Sequence, residues 1–302
     1  MTERWVSAVK NTNGTPPINA GEVEIPKRVS GFAVSPSSEL LLEDFQRYFP
    51  HTPTALAIKE CARLAAVRHY PCPGPILDVG CGDGLFAKLA FDNVEVWGID
   101  IDAKEGRWAS ASRAYAQVIL GDVTQARLPE AFFSSCVANC SLEHVPRIDL
   151  ALSTIFHSLK PGGVAYLFVP NPEWARHLMS VRLLADLGAP GLASQLQGAI
   201  DRFFKHHHLY DQQGWSELAV QAGLEVVAVE PVLSSATTVA FEAFLLPSLL
   251  GLLNKTLTTR WTNFPRFRQI FAQPVYHLVH EVMKRADPNL TAEYLVIARR
   301  PA

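Results

Sequence analysis

The sequence has no excess of charge of either sign. Its 302 residues contain 27 Lys and Arg side chains against 29 Asp and Glu, which gives a formal net charge of −2. Proteins that bind nucleic acid or an anionic membrane commonly show a basic excess, and this composition shows none. The charge balance therefore favours a small-molecule ligand and predicts no nucleic-acid partner.

Paired cysteines and long apolar runs are also missing. The five cysteines are scattered without the C-x-x-C spacing of zinc or redox sites, so we expect reduced thiols and no metal site. The apolar run from Val239 to Leu253 contains Glu242 and Pro247 and is shorter than the roughly 20 residues that span a bilayer, so no transmembrane segment is predicted. The first residues lack the pattern of a secretion signal, which predicts a cytoplasmic protein.

What the sequence does contain is an alternation of strand and helix patterns. Residues 1–38, rich in Gly, Pro, Ser and Asn, are expected to form an N-terminal extension, and residues 39–70 are expected to form helices that cap a site. Residues 71–302 alternate short apolar runs with helix-length segments, which predicts an α/β fold with a mostly parallel sheet and helices on both faces. Insertions at about 172–211 and 234–290 interrupt this domain and are expected to form a substrate lid.

The stretch "ILDVGCGDGLF", from Ile76 to Phe86, indicates a strand, a glycine loop and the start of a helix. A dinucleotide fingerprint would place its third glycine at Leu85, whereas Gly84 comes one position early. Asp78 and Asp83 lie beside the turn, where a pyrophosphate would need uncharged N–H donors. The loop therefore favours a positively charged nucleoside over NAD.

Two more carboxylates follow the next two strands. Asp100 ends "VWGID", 20 residues after Gly80, where it can accept hydrogen bonds from both ribose hydroxyls. Asp122 follows the third strand in "ILGDV", where it can accept from an adenine amino group. Asp102 is expected instead to cap the next helix. S-adenosylmethionine, with its sulfonium, ammonium, ribose and adenine, matches these acceptors.

In the order "ILDVGCGDG", "GIDID", "GDVTQARLP", "CSLEHV", "LKPGG" and "LFVPN", these motifs resemble the class I S-adenosylmethionine-dependent methyltransferases, particularly their broad small-molecule group. The resemblance extends from about Ile76 to Asn171. It implies a Rossmann-like sheet with an antiparallel last strand, S-adenosylmethionine as cofactor and S-adenosylhomocysteine as product.

The resemblance also assigns positions around the cofactor. The loop glycines would allow close approach of the methionine part, Asp78 would help to hold its amine, and the segment at Cys140 and Ser141 would lie nearby. Cys81 and Cys140 are expected to be small packing residues rather than nucleophiles. The implied cofactor-binding residues are Asp78, Gly80, Cys81, Gly82, Gly84, Asp100, Ile101, Asp122, Val123 and Cys140.

A general base is optional for methyl transfer but becomes useful when the acceptor is a hydroxyl or an acidic carbon. His144 in "SLEHV" and the run His206–His208 are the candidates, and Glu143 is an alternative. From these we select His144, His207 and His208, although a structural role for His144 and a solvated histidine run are the simpler interpretations.

The late insertion allows two interpretations. Its apolar part is expected to be a buried cap helix that walls the pocket or forms a subunit interface, so that an oligomer could form there. Alternatively, the aromatic residues interleaved with Lys and Arg near Trp261 to Phe271 could contact a membrane surface or a polyanion.

Taken together, the motifs predict an enzyme that methylates an oxygen or carbon of a small, partly apolar metabolite. "NCSLEH" stands where enzymes that methylate amino groups of nucleic-acid bases carry an Asn/Asp-Pro-Pro-aromatic turn, which argues against that activity. An RNA methyltransferase acting at other positions, and a non-catalytic regulator that binds S-adenosylmethionine, remain the alternatives.

Overall fold

The computed structural model describes residues 40–258, 260–283 and 291–302. The predicted N-terminal extension, residues 1–38, lies outside the described residues. Seven short and mostly apolar segments form the strands: β1 (Ile76–Val79), β2 (Val96–Asp100), β3 (Gln117–Leu120), β4 (Phe133–Asn139), β5 (Leu159–Pro170), β6 (Glu225–Ser234) and β7 (Thr291–Arg299).

The strands form a single sheet in the order β3-β2-β1-β4-β5-β7-β6. The five strands β1 to β5 pair in parallel. β7 runs antiparallel to both of its neighbours, β5 and β6. The mostly parallel sheet with an antiparallel last strand is thus confirmed.

Helices connect and flank the strands. Two 3₁₀ turns, Leu142–His144 and Trp174–His177, follow β4 and β5. The α-helices of the described residues are α1 (Leu42–Tyr48), α2 (Thr54–Val67), α3 (Leu85–Ala90), α4 (Ala103–Ser112), α5 (Ile148–Ser158), α6 (Met179–Asp186), α7 (Pro190–Phe204), α8 (Gln212–Gln221), α9 (Ser235–Ala243), α10 (Leu245–Thr258), α11 (Pro265–Gln269) and α12 (Ala272–Met283).

The sheet separates two apolar cores. Side chains alternate between the two faces of a strand, so Ile76 of β1 points into one core and Leu77 into the other. Helices α1, α2, α9 and α12 cover the first face, and α5 and α8 cover the second. Helices on both faces are what the alternating sequence pattern predicted.

A buried ionic cluster joins α2 to β7. Arg63 donates from Nε and Nη2 to the two carboxylate oxygens of Glu293, each at 2.8 Å, and Lys59 Nζ donates to Glu293 Oε1 at 2.9 Å. Burial alone would raise the pKa of Glu293, but the charges of Arg63 and Lys59 outweigh burial and hold that pKa well below its usual range. The cluster ties an early helix to the last strand.

The late insertion differs from expectation. α9 is buried against α2, as a cap helix should be. α10, however, meets the protein through small residues: Ser248 Oγ accepts from the Ala55 N–H at 3.1 Å, and a Cβ on Gly251 would lie 2.8 Å from Pro53 Cγ. Most of its leucines are consequently exposed, and none of its residues is buried: Leu246, Leu249, Leu250, Leu253 and Leu257 face away from the protein. α10 is therefore not a buried helix that walls the pocket, whereas its expected role as a subunit interface stays a prediction.

Within the described part of the chain, no single helix is both long and apolar enough to cross a membrane. The pair α9 and α10 meets those limits of length and composition only when taken together, and the pair is bent by 62° at its break.

The buried cluster leads to a stability prediction. Glu293→Gln should lower the free energy of unfolding by about 3 kcal/mol or more, because Lys59 would lose its carboxylate partner and the buried Arg63 would keep only Glu60. Glu225→Gln is the matched control on the neighbouring strand, since the Glu225–Arg299 pair, at 2.7 Å, has side chains that are 55% and 47% exposed; its loss should stay below about 1 kcal/mol. Urea unfolding of the two variants measures both values, and equal losses would contradict the prediction.

The same cluster should respond to acid. A carboxylate whose pKa is depressed in the folded state stabilises that state above its unfolded pKa of about 4.3, and the contribution is lost as the pH falls through the folded pKa. The difference in stability between wild type and Glu293→Gln should therefore be full near neutral pH and shrink below about pH 4.

Candidate active site

A cavity of about 310 Å³ lies where β1, β2, β3 and β4 end. Because these strands are parallel, their carboxyl ends and the loops that follow them meet at one edge of the sheet. Six of the ten residues implied to bind the cofactor line the cavity: Gly80, Asp100, Ile101, Asp122, Val123 and Cys140.

The glycine loop after β1 is held by close contacts that exclude side chains. Gly80 has a φ of +74°, and a Cβ there would lie 2.3 Å from the Cβ of Ser141. Gly84 has a φ of +82°, and a Cβ there would lie 2.8 Å from the ring of Tyr115. Both positions require glycine for conformation and for space. The loop can therefore lie directly against the segment that follows β4.

Asp100 is oriented by backbone groups. Its Oδ2 accepts from the Gly82 N–H and its Oδ1 from the Asp102 N–H, each at 2.8 Å. Each carboxylate oxygen can accept a further hydrogen bond, so the group can still bind a diol. Asp102 itself caps α4 by accepting from the N–H groups of Lys104 and Glu105, which confirms the predicted cap.

Asp122 and its neighbours form the far side of the cavity. The Oδ1 of Asp122 accepts from the Thr124 N–H at 2.8 Å, which fixes the carboxylate after β3. Val123 is buried, whereas the Ile101 side chain is 75% exposed at the rim. An exposed apolar side chain beside a carboxylate suits a flat, partly polar ring such as adenine.

Asp78 is placed differently from the role that the resemblance implied. It is buried in β1, where its Oδ2 accepts from the Tyr115 hydroxyl at 2.7 Å, and burial raises the pKa of Asp78 to about 7. The side chains of Asp78 and Cys81 do not belong to the cavity lining, and neither do Gly82 and Gly84. Binding of the cofactor amine by Asp78 stays a prediction.

The polar character of the lining fits S-adenosylmethionine. The described lining contains two carboxylates and no Lys or Arg side chain. Asn139, at the end of β4, also lines it, and its buried Oδ1 has no hydrogen-bond partner among the described residues. Its Nδ2 donates to Glu60 Oε2 at 2.7 Å. An unpartnered acceptor that lines a cavity rich in carboxylates suits a cationic ligand with an ammonium group.

Sequence analysis missed Asn139. The signal was present, because Asn139 is the last residue of β4 and polar groups at the carboxyl ends of parallel strands face the site.

Three titratable side chains meet beside the cavity. Glu143 Oε1 lies 3.7 Å from His144 Nε2, and the His144 ring stacks on His206 with centroids 5.5 Å apart. Glu143 is buried, and its Oε2 has no partner among the described residues. One ligand atom from each residue lies within 4.8 Å of the others, so this group could also hold a metal ion, although the sequence predicted no metal site.

The environment of these side chains sets their proton affinities. Burial raises the pKa of Glu143 to about 7 and lowers the pKa of His144. His144 Nδ1 lies 3.1 Å from the carbonyl oxygen of Lys205, which can only accept a hydrogen bond, so Nδ1 carries the proton of the neutral ring. Nε2 is then left with a lone pair that can take a proton.

The other two histidines of the run lie elsewhere. The His207 side chain is exposed. His208 Nε2 lies 3.0 Å from the Val145 carbonyl oxygen and its Nδ1 lies 3.2 Å from the Tyr210 hydroxyl, so this ring braces the backbone after the 3₁₀ turn. Both backbone N–H groups donate to the Glu143 carbonyl oxygen. The structure thus brings His206, rather than His207 or His208, to Glu143 and His144.

Known proteins are similar to this chain in sequence and in fold. A family model described as a methyltransferase domain matches residues 47–229. An uncharacterized methyltransferase of Mycobacterium tuberculosis is 41% identical over 127 residues, which is 41% of this chain and 63% of that protein. A ubiquinone biosynthesis O-methyltransferase of Serratia proteamaculans is 30% identical over 114 residues, 35% of this chain and 46% of that protein. The chain thus covers less than two-thirds of the curated relatives' length.

Among solved structures, the [4+2]-cyclase SpnF superposes with a TM-score of 0.53 at 18% identity, covering 86% of this chain and 92% of that chain. This likeness shows the fold alone. The family model, in contrast, covers more than half of the chain and includes the glycine loop, Asp100, Asp122 and the histidine run. By sequence as well as by sheet order, the chain belongs to the class I S-adenosylmethionine-dependent methyltransferases.

Proposed function

We propose that the protein transfers the methyl group of S-adenosylmethionine to an oxygen or carbon of a small, partly apolar metabolite. The observation that carries the proposal is the pairing of Glu143 with His144 at the wall of the cofactor cavity. A proton acceptor at this place is useful when the acceptor atom must lose a proton, as a hydroxyl or an acidic carbon does. Two relatives support oxygen: the ubiquinone biosynthesis O-methyltransferase and a malonyl-[acyl-carrier protein] O-methyltransferase of Methylococcus capsulatus, 31% identical over 107 residues.

In this proposal each cavity residue binds a different part of the cofactor. Asp100 accepts from the ribose hydroxyls, Asp122 with the Val123 backbone holds the adenine edge, and Asn139 Oδ1 accepts from the ammonium. Gly80 lets the backbone approach the methionine part. When bound, S-adenosylmethionine supplies a methyl group on a positively charged sulfur, which is already activated toward displacement. The main task of the protein is then alignment of the acceptor at about 3 to 3.5 Å.

Proton transfer falls to His144 in this proposal. His144 lines the cavity, and Nε2 takes the proton that the acceptor loses. The ionised carboxylate of Glu143 stabilises the resulting imidazolium, and the His206 ring stacks on the His144 ring and holds its orientation. Since burial raises the pKa of Glu143 to about 7, this carboxylate is only partly ionised at neutral pH.

An aromatic wall beside His206 supports a partly apolar acceptor. The Trp174 and Phe204 rings lie 5.6 and 5.9 Å from the His206 ring, centroid to centroid. Phe204 comes from the first insertion and contacts Phe241 of the second at 6.4 Å. Both insertions therefore contribute to one largely buried aromatic wall behind His206, which supports their proposed role as a substrate lid.

The acceptor class can be tested by labelling. The purified protein would be incubated with methyl-labelled S-adenosylmethionine and fractionated cell extract. Label in organic-soluble small molecules supports the proposal and yields a product for identification. Label confined to RNA or protein overturns the acceptor class, and cofactor binding without any transfer identifies a regulator instead.

Asp100→Ala should weaken S-adenosylmethionine binding roughly 10- to 100-fold, because a charge-assisted hydrogen bond to a buried ligand contributes about 1.5–3 kcal/mol. Isothermal titration calorimetry measures the dissociation constant. The matched control is Asp102→Ala, which removes a carboxylate two residues away that caps α4 and does not line the cavity. An unchanged dissociation constant in Asp100→Ala would reject the assignment of this carboxylate.

The base assignment predicts a specific pH profile. His144→Ala should lower kcat about 10²- to 10⁴-fold with a hydroxyl acceptor. In the wild type, kcat should rise as the pH passes about 7 and then level off, because Glu143 acts in its ionised form. Glu143→Gln should remove the inflection near that pH while leaving the KM for the cofactor unchanged.

Two outcomes would contradict this assignment. A loss confined to His207→Ala would move the base to the exposed histidine. Activity that is abolished by EDTA and restored by a divalent ion would make Glu143, His144 and His206 metal ligands instead.

A further inference from the structure

An exposed apolar surface of the described chain has no role in the proposed function. Helices α10 and α11 with the residues around them expose six large apolar side chains, each at least 62% exposed, which we call the leucine–phenylalanine face: Leu246, Leu250, Leu257, Phe264, Phe267 and Ile270. On α10, Leu246, Leu250 and Leu257 share one side with Leu253, since their spacing of three and four residues follows the helical repeat. Exposed apolar patches of this kind mark interaction sites.

The charge of the segment around this face indicates which kind of partner it binds. From Ala243 to His280 the chain contains Lys255, Arg260, Arg266 and Arg268 but no Asp or Glu, although the whole chain carries a formal charge of −2. Arg266 is exposed between Phe264 and Phe267 on the face itself. Lys255 pairs with Glu105 at 2.6 Å, and Arg268 donates to the carbonyl oxygens of Phe49 and Thr52. A second copy of this chain would bring two Arg266 side chains together, whereas an anionic lipid surface offers both negative headgroups and an apolar layer.

An adjacent groove connects this segment with the glycine loop. The groove, of about 810 Å³, lies between α1, α3, α4 and the turn after α10. Lys255 and Arg260 line it beside Trp108 and Trp261, with Lys255 Nζ 4.0 Å from the Trp261 ring centroid. Asp83 of the glycine loop also lines it. Glu43 and Glu105 line it as well, and Lys255 Nζ pairs with Glu105 Oε1 at 2.6 Å, so the groove carries charges of both signs. An amphiphile held at the face would thus have an open, polar route toward the loop that follows β1.

We propose that the leucine–phenylalanine face docks onto the surface of an anionic lipid bilayer. α10 lies in the interface with its leucines in the acyl layer, Phe264, Phe267 and Ile270 insert beside it, and Arg266 contacts lipid headgroups. This docking does not depend on methyl transfer. If the protein methylates another class of acceptor, the docking proposal still stands.

Vesicle co-sedimentation tests the proposal with the full chain. Wild type should bind vesicles of phosphatidylcholine with about one-third phosphatidylglycerol much more than phosphatidylcholine alone, and binding should weaken as salt rises. Leu250→Glu combined with Leu257→Glu should reduce binding roughly tenfold or more, because two apolar anchors are lost and two negative charges gained. Both side chains are more than 70% exposed, so the fold does not depend on them.

The matched control makes the same two changes on the opposite side of the sheet. Leu150 of α5 and Val220 of α8 are 40% and 41% exposed, and Leu150→Glu combined with Val220→Glu adds the same charge. This control should bind vesicles like wild type. Equal losses in both double variants would show a bulk-charge effect and overturn the proposal.

Two further outcomes would also overturn it. If wild type binds neither vesicle and instead forms a dimer that Leu250→Glu with Leu257→Glu dissociates, the face is a subunit interface. If a single-stranded oligonucleotide binds at the Arg and aromatic residues while vesicles do not, the partner is a polyanion. Light scattering and fluorescence anisotropy measure these outcomes.

Discussion

Three parallel strands end at the same level of the sheet, and the candidate site depends on this alignment. Val79, the last residue of β1, pairs with Ile99 of β2 on one side and with Ala138 of β4 on the other. The next residue of each strand or loop, Gly80, Asp100 and Asn139, therefore arrives at the same edge without any further adjustment. Backbone pairing alone brings together a close-approach glycine, a carboxylate and an amide from segments far apart in sequence.

Ion pairs near this edge neutralise the cations of α2, so the cavity stays suited to a cationic ligand. The nearby cations of α2 are already paired, because Arg63 and Lys59 bind Glu293 in a buried cluster. Arg63 Nη1 also donates to Glu60 at 2.8 Å, and Glu60 accepts from Asn139 Nδ2 at 2.7 Å. A chain of hydrogen bonds thus runs from β7 to the cavity and fixes Asn139 with its unpartnered oxygen turned from Glu60. The same contacts that join the last strand to the core orient a group of the site.

The parts that sequence predicted are those set by local chemistry. The loop glycines require positive φ, Asp102 caps the helix that begins beside it, and alternating patterns define the sheet. The parts that sequence missed depend on packing between distant segments. Adjacent histidines look alike in a sequence, whereas in the fold it is the His206 ring that packs against Trp174 and His144. Likewise, the leucine spacing of α10 predicts an apolar stripe but not its direction, which is decided by the small residues Ser248 and Gly251 on the opposite side.

The two halves of the late insertion connect the site with the outer surface. α9 is buried and carries Phe241 into the aromatic wall, while α10, after a bend of 62°, turns its leucines outward. Phe241 and Leu246 are separated by a single short break, so a ligand that fixes α10 also restrains the position of α9. Binding of lipid at the proposed face would then help to order the aromatic residues beside His206. The exposed leucines contribute little to the stability of the fold. In the proposed docking they act only when a lipid bilayer is present.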